Sequence, residues 1–149
     1  MPKLIELEQK RAELSALLGT TVYVAFTTDS IVALSTYEAV INKAFIFDSK
    51  TYELIEEYPE FCKLKTGLYR VVKHDKEGII NNRGEYVIPV VYDMLYMTGS
   101  VYLDCYDLEK QIFVRYGISE QNEITLQETN KFTINGDHIE YREYKGNDT

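Results

Sequence analysis

The segment from Lys76 to Asp93, KEGIINNRGEYVIPVVYD, constrains the fold more than any other part of the chain. Two short runs of mainly β-branched residues flank an Asn-Asn-Arg-Gly turn, which is the pattern of two antiparallel strands joined by a tight connection. Pro89 lies late in the second run. Because proline has no N–H to donate to a ladder, it predicts an edge strand or the end of a strand.

The same segment resembles one unit of the WG (KWG) repeat family of bacterial proteins. The matching positions are Gly78, Ile79, Asn81, Gly84, Ile88, Pro89, Tyr92 and Asp93. Glu77 stands where that family usually has an aromatic residue, and a second start at residues 115–118 lacks the Ile-Pro-x-x-Tyr ending. Repeat units bury their faces against neighbours, so about three are normally needed for stability. We therefore expect one degenerate unit inside another fold rather than an array, and the resemblance implies an architecture without a chemistry.

The N-terminal segment predicts an amphipathic helix over residues 4–18. Its leucines at positions 4, 7, 14 and 18 recur at helical spacing, and most of the charged residues fall on the other face. Gly19 follows directly and suits the left-handed position that ends a helix. Residues 31–42 are ambiguous, since Ser35 could cap a short helix through Asn42. The segment 52–58 is read as extended, because its glutamates would repel one another at helical spacing.

The second half of the chain predicts β-structure throughout. Residues 101–106 and 111–116 have the composition of two paired strands. Asn135-Gly136 lies between 131–134 and 137–141, and Asn-Gly is the strongest signal for a type I′ turn. We expect one α+β domain over residues 1–149: the N-terminal helix 4–18, then mainly antiparallel sheet built from short hairpins, with the WG-like part at 68–144.

Charge excludes several classes of partner. The chain has 24 acidic and 16 basic residues and a net charge of −8, and it contains no basic cluster of the kind that nucleic-acid binding needs. Direct binding to nucleic acid or to an anionic membrane is therefore disfavoured, whereas a basic protein partner is favoured. The charged N-terminus and the lack of a long apolar run predict a cytoplasmic protein. Cys62 and Cys105 lie in no disulfide or metal pattern.

The sequence contains no recognisable catalytic or cofactor motif. There is no phosphate-binding glycine loop and no nucleophile elbow, and His74 and His138 do not have the spacing of metal ligands. His74 is adjacent to Asp75, but neighbours on a strand point to opposite faces, so a catalytic pair is not expected. We predict no cofactor and no metal, and we lean against an enzyme.

Tyrosine is unusually frequent, with 13 residues in 149 and no Trp. Tyr beside carboxylates is suited to contact Arg and Lys of a partner, although Tyr is equally a good strand former. The predicted partner-binding residues are Glu53, Glu56, Glu57, Glu60, Asp104, Tyr106 and Asp107.

These observations favour a non-enzymatic acidic protein that neutralises a basic protein partner. Examples are a bacterial immunity protein or antitoxin, or a phage-encoded inhibitor of a nucleic-acid-binding host defence protein. Two alternatives stay open. One is a small hydrolase of unfamiliar class that acts on a nucleotide or sugar, with His74 or a carboxylate as its leading group. The other is a structural interaction module of the WG-repeat type.

Overall fold

A computed structural model describes residues 3–36, 42–136 and 138–142 of the protein. Within them, one α-helix precedes a series of β-strands. The helix is α1 (Leu4–Leu18), and the strands are β1 (Val22–Thr27), β2 (Ile31–Thr36), β3 (Ala44–Asp48), β4 (Leu54–Tyr58), β5 (Glu60–Lys65), β6 (Leu68–Lys73), β7 (Lys76–Asn81), β8 (Tyr86–Tyr92), β9 (Met94–Thr98), β10 (Tyr102–Asp107), β11 (Ile112–Ile118), β12 (Ile124–Asn135) and β13 (His138–Arg142).

The strands form three consecutive antiparallel sheets. The first sheet has the order β1-β2-β3-β4, the second β5-β6-β7-β8, and the third β9-β10-β11-β12-β13. Each strand therefore pairs with its neighbours in sequence, and every sheet is a meander. The predicted α+β class, with one N-terminal helix and mainly antiparallel sheet, is confirmed at this level. Ser35 lies in β2 rather than at the start of a helix, and the remainder of that predicted helix up to residue 41 falls outside the described residues.

Single residues connect the sheets. Only Pro59 separates β4 from β5, and only Asp93 separates β8 from β9. Pro59 suits this position because a bend between two sheets needs no ladder hydrogen bond from its nitrogen. In the second connection the Asp93 N–H donates to the carbonyl of Tyr106 on β10 at 2.8 Å. The chain consequently enters each new sheet directly from the last strand of the previous one.

The core consists of separate apolar layers. The first layer lies between α1 and the first sheet and contains Leu7, Leu14, Val32 and Phe45 among its buried residues. The second lies between the first and second sheets and includes Phe26, Ile46, Phe61, Tyr69 and Ile80. The third lies between the second and third sheets and includes Leu68, Ile79, Leu103, Cys105 and Ile118. The order of packing is therefore helix, first sheet, second sheet, third sheet.

The helix contributes only part of its apolar surface to this packing. Leu7 and Leu14 are buried, whereas Leu4 and Leu18 of the predicted apolar face are 82% and 39% exposed. Gly19 ends the helix with φ 69°, as predicted, and its N–H donates to the Ser15 carbonyl at 3.0 Å.

The three meanders share one turn. It follows the third strand of each sheet and begins at Asp48, Asn81 and Ser119, respectively. In each turn the first residue's N–H donates to the carbonyl of a glutamate, at 2.9, 2.9 and 3.0 Å. Its side-chain oxygen accepts two backbone N–H groups further along the turn. Short polar side chains stabilise turns in this way.

Each of these turns also contains a residue in the left-handed region that touches the preceding layer. Tyr52 (φ 57°) packs on the cluster beneath α1. Gly84 (φ 76°) lies against Ile31, since a Cβ built on it would come within 2.7 Å of the isoleucine Cδ1. Asn122 (φ 63°) donates to the Thr66 carbonyl at 2.9 Å. Three meanders that share this turn are therefore stacked, and the WG-like segment 76–93 lies in the middle one.

Candidate functional site

The candidate site surrounds the turn between β6 and β7. Lys73 and Lys76 pair across this turn, and the two residues between them, His74 and Asp75, have φ values of 54° and 61°. Positive φ at both central positions is the geometry of a type I′ connection, which continues the twist of its strands. The turn belongs to the middle sheet, so both neighbouring sheets can reach it.

Two ion pairs fix this turn to the flanking sheets. The Lys73 ammonium bonds to the carboxylate of Glu56, on the last strand of the first sheet. The Lys76 ammonium bonds to Asp93, at the connection into the third sheet, at 2.5 Å. The second carboxylate oxygen of Asp93 accepts the Leu108 N–H at 2.6 Å, beyond β10. One turn therefore links all three sheets through side chains.

The charges around the turn perturb one another. The hydrogen bond from Lys76 is the main reason why the pKa of Asp93 lies below its usual value. The same bond raises the pKa of Lys76, to which the nearby charges of Asp107 and Glu109 add. Glu56 raises the pKa of Lys73 in the same manner. Both lysines therefore stay charged at neutral pH, with carboxylates from three different segments around them.

A groove of about 420 Å³ runs beside the turn. Its lining consists of Lys73, His74, Lys76, Tyr86, Pro89 and Val90. Tyr86 is 50% exposed, and its hydroxyl shares a 2.7 Å hydrogen bond with the Tyr58 hydroxyl from the first sheet. Burial raises the pKa of Tyr58, with the Tyr86 hydrogen bond adding to the effect, so the Tyr58 hydroxyl remains neutral. The groove thus combines an aromatic and apolar floor with a charged rim.

The structure brings some of the predicted partner-binding residues to this end of the molecule. Glu56 and Asp107 approach the turn from opposite sides, through Lys73 and Lys76, respectively. Glu53 and Glu57 are exposed on the same segment as Glu56, and Glu60 is half-buried just beyond Pro59. These carboxylates are available to a partner without unfolding any part of the sheet.

Asp104 and Tyr106 are placed differently. Asp104 is 4% exposed; it accepts Nε and Nη2 of Arg115 at 2.7 and 2.9 Å and the Thr98 hydroxyl at 2.7 Å. Tyr106 is 6% exposed and packs its ring on Phe113 and Phe132. These two side chains hold together the outer face of the third sheet and leave almost no surface for a partner.

The described tyrosines divide between the interior, the junctions between sheets and the surface. Tyr58, Tyr69 and Tyr106 are buried, and a 2.9 Å hydrogen bond joins the hydroxyls of Tyr92 and Tyr116 across the second and third sheets. Since Tyr58 and Tyr86 form the matching link between the first and second sheets, paired phenols recur at both junctions. Strand and core packing therefore accounts for many of these residues, and Tyr86 is the exposed tyrosine that lines the groove.

The histidines and cysteines are the other chemical candidates from the sequence. His74 is exposed at the tip of the turn, and the side chain of His138 lies outside the described residues. Cys62 is exposed and Cys105 is buried, and both are free thiols. Among the described residues, no group of His, Cys, Asp and Glu is arranged to hold a metal ion. No helix in the described part of the chain is long and apolar enough to cross a membrane.

Sequence reasoning identified the carboxylates but missed the groove. Lys73, Lys76 and Tyr86 were not singled out, because nothing local shows that their partners, Glu56, Asp93 and Tyr58, lie in the neighbouring sheets or at the connection to them. The comparisons add no relative, since no protein-family model matches the chain and no curated protein is similar to it in sequence.

Proposed function

We propose that this protein is a non-enzymatic, cytoplasmic binding protein that neutralises a basic protein partner. An immunity protein, an antitoxin or a phage-encoded inhibitor of a nucleic-acid-binding protein would act in this way. The binding surface comprises the β6–β7 turn and the adjoining edge strand of the first sheet, β4, together with the residue before it. Glu53, Glu57 and Asp107 are its carboxylates. The apolar groove beside Tyr86 gives the partner a place for a buried side chain.

The observation that carries the proposal is the pairing of charged side chains in the stack. Each described ion pair joins one cation to one carboxylate, and the cations are Arg11, Arg70, Lys73, Lys76 and Arg115. Both lysines of the turn are among them, so they do not offset the surrounding acidic side chains. The chain's net charge of −8 therefore resides on the remaining groups, which attract cationic surfaces over about a Debye length.

The stacked meanders favour a second candidate, a scaffold module of the WG-repeat type. We propose that all three meanders are degenerate units of this kind, each built from short hairpins. Repeat stacks commonly bind partners over extended surfaces. This candidate differs from the first in its binding, since a scaffold engages several partners weakly whereas a neutralising protein binds one partner tightly in a one-to-one complex.

A capture experiment tests the main proposal. The tagged protein is used as bait in lysate of the cells that produce it, at about 50 mM and about 500 mM salt, and the retained proteins are identified by mass spectrometry. We expect one stoichiometric basic protein that is lost at high salt. Several substoichiometric proteins retained at both salt concentrations would favour the scaffold, and the absence of any specific protein would contradict both candidates.

Charge reversal then tests the surface itself. With the captured partner in hand, Glu53→Lys combined with Glu57→Lys should slow association about tenfold and reduce its dependence on salt. The matched control reverses two exposed glutamates of the third sheet, Glu123 directly before β12 and Glu128 within it. An equal fall in the association rate of both variants would show that only net charge matters. An unchanged rate in the Glu53 and Glu57 variant would place the partner elsewhere.

A further inference from the structure

A second cleft lies on a different part of the molecule, where the turns of the second and third sheets meet. It has a volume of about 570 Å³, and its lining includes Lys65, Thr66, Arg83, Val87, Gln121 and Asn122. Ligand sites generally have volumes of about 300–1,000 Å³. We refer to it as the junction cleft. None of its lining residues belongs to the groove beside the β6–β7 turn.

The equivalent contact between the first and second sheets is packed differently. There Gly84 faces the side chain of Ile31 so closely that a Cβ on the glycine would lie 2.7 Å from its Cδ1. At the junction cleft, Asn122 replaces the glycine, and the opposing turn carries Gly67 beside Thr66. An apolar contact in one junction thus corresponds to a polar contact beside a cleft in the other.

One polar atom in the cleft lacks a partner. The amide nitrogen of Asn122 donates to the Thr66 carbonyl at 2.9 Å, but its buried Oδ1 accepts no hydrogen bond from any described residue. An unsatisfied buried acceptor costs about 1–3 kcal/mol, and such atoms generally bond to water or to a ligand. The junction therefore holds an acceptor that a hydroxyl or amino group in the cleft would reach once the Asn122 side chain shifts towards it.

Two cations in the cleft are also uncompensated. Arg11, Arg70 and Arg115 each form an ion pair, whereas the side chains of Arg83 and Lys65 form none with the described residues. Two carboxylates lie nearby: Glu120 stands on the rim, whereas Glu85, which accepts from the Asn81 amide at 3.0 Å and keeps its charge, lies outside the lining. In a chain of net charge −8, this local arrangement is suited to one small anion.

We propose that the junction cleft binds a small anion that carries hydroxyl groups next to its charge, the chemical class of sugar phosphates and sugar acids. Arg83 and Lys65 hold the anionic group, because guanidinium and ammonium donors form the stronger, charge-assisted hydrogen bonds. Asn122 Oδ1 and the Glu120 carboxylate accept hydrogen bonds from the ligand's hydroxyl groups. The side-chain amides of Asn82 and Gln121 can donate to the ligand or accept from it. The described lining contains no aromatic ring, so a nucleotide base has no surface on which to stack.

Calorimetric titration of the full chain tests this assignment with four probes: glucose 6-phosphate, gluconate, glucose and inorganic phosphate. We expect glucose 6-phosphate or gluconate to bind at least tenfold more tightly than glucose or phosphate alone. Tighter binding of glucose 6-phosphate than of gluconate would indicate a phosphate ligand, and the reverse order would indicate a carboxylate ligand. Binding of phosphate as tight as that of both hydroxylated anions would identify an adventitious ion only, and no binding by any probe would overturn the proposal.

Variants locate the binding to the cleft. Arg83→Gln should weaken the binding of the preferred probe about tenfold or more, since a hydrogen bond to a charged group contributes about 1.5–3 kcal/mol. Lys50→Gln is the matched control. Lys50 occupies the corresponding place in the first turn, two residues after Asp48, and its substitution removes the same charge. Lys65→Gln provides a second variant if Arg83→Gln changes the thermal midpoint. Wild-type affinity in both cleft variants would refute the site, independently of any result with a protein partner.

Discussion

Replacing Asp104 by asparagine tests whether the outer face of the third sheet depends on one buried carboxylate. The side chain accepts three hydrogen bonds, two from Arg115 and one from Thr98. Asparagine keeps the shape but loses the charge and turns one acceptor into a donor. Hydrogen bonds to charged groups contribute about 1.5–3 kcal/mol each, and the Arg115 side chain, 30% exposed, recovers part of its hydration. We therefore expect a loss of about 2–3 kcal/mol in the free energy of unfolding.

Urea unfolding followed by circular dichroism measures this loss as a lower midpoint at constant slope. In a thermal scan, the same loss lowers the midpoint by about 5–10 °C. Glu8→Gln is the control, since it removes a carboxylate from the exposed pair with Arg11, and exposed pairs contribute little. We expect no measurable change in the control.

The pH dependence sharpens the test. Burial alone would raise the pKa of Asp104, but the hydrogen bonds from Arg115 and Thr98 outweigh it and hold the pKa below its usual value. A carboxyl group with a lower pKa in the folded state stabilises the protein above its unfolded pKa, and this stabilisation is lost as the pH falls through the folded pKa. The difference between wild type and Asp104→Asn should be full at pH 7 and nearly vanish by about pH 2. A constant difference over this range, or equal stability at pH 7, would refute the reasoning.

Three further predictions concern packing within and between the sheets. Gly78→Ala should destabilise the protein by about 1–3 kcal/mol, because a Cβ there lies 2.8 Å from backbone atoms of β8. Gly117→Ala, where a Cβ meets only the flexible Gln127 side chain, should cost less in the same urea titration. Tyr92→Phe should cost about 1 kcal/mol through loss of its hydroxyl hydrogen bond, measured by thermal unfolding. A thiol reagent should modify only Cys62 in the native protein and both cysteines in urea, since burial raises the pKa of Cys105 to about 12.

The sequence predicted elements that depend on local chemistry. The helix at 4–18 was correct because a leucine pattern and a terminal glycine define it, and both signals lie within the segment itself. The prediction that residues 52–58 are extended agrees with β4. A helix would bring the glutamates of this segment together on one face, and a strand does not. Pro89 lies in β8, an edge strand of the second sheet, as its missing N–H requires.

Elements buried on both faces were harder to predict. Residues 31–36 read IVALST, without the alternation of a half-buried strand, because β2 packs against α1 on one side and the second sheet on the other. Residues 60–65 were not assigned either, since Pro59 marks the end of the preceding strand but one residue is too short a connection to predict that a new strand begins directly after it. The assignment of Asp104 to a partner surface failed to anticipate burial for a related reason, because its cation, Arg115, comes from the next strand.

Under the proposal that the three meanders are repeat units, the position of each in the stack accounts for a resemblance confined to the middle one. The residue two before each shared turn is Ile46 in the first meander and Ile79 in the second, and both are buried against the following sheet. In the third meander this position is Gly117, on the face where no further sheet follows. The middle unit alone contacts a sheet on both sides, so it alone must satisfy both constraints. Terminal units of repeat proteins are atypical, so the proposed stack of three would carry its recognisable unit in the middle.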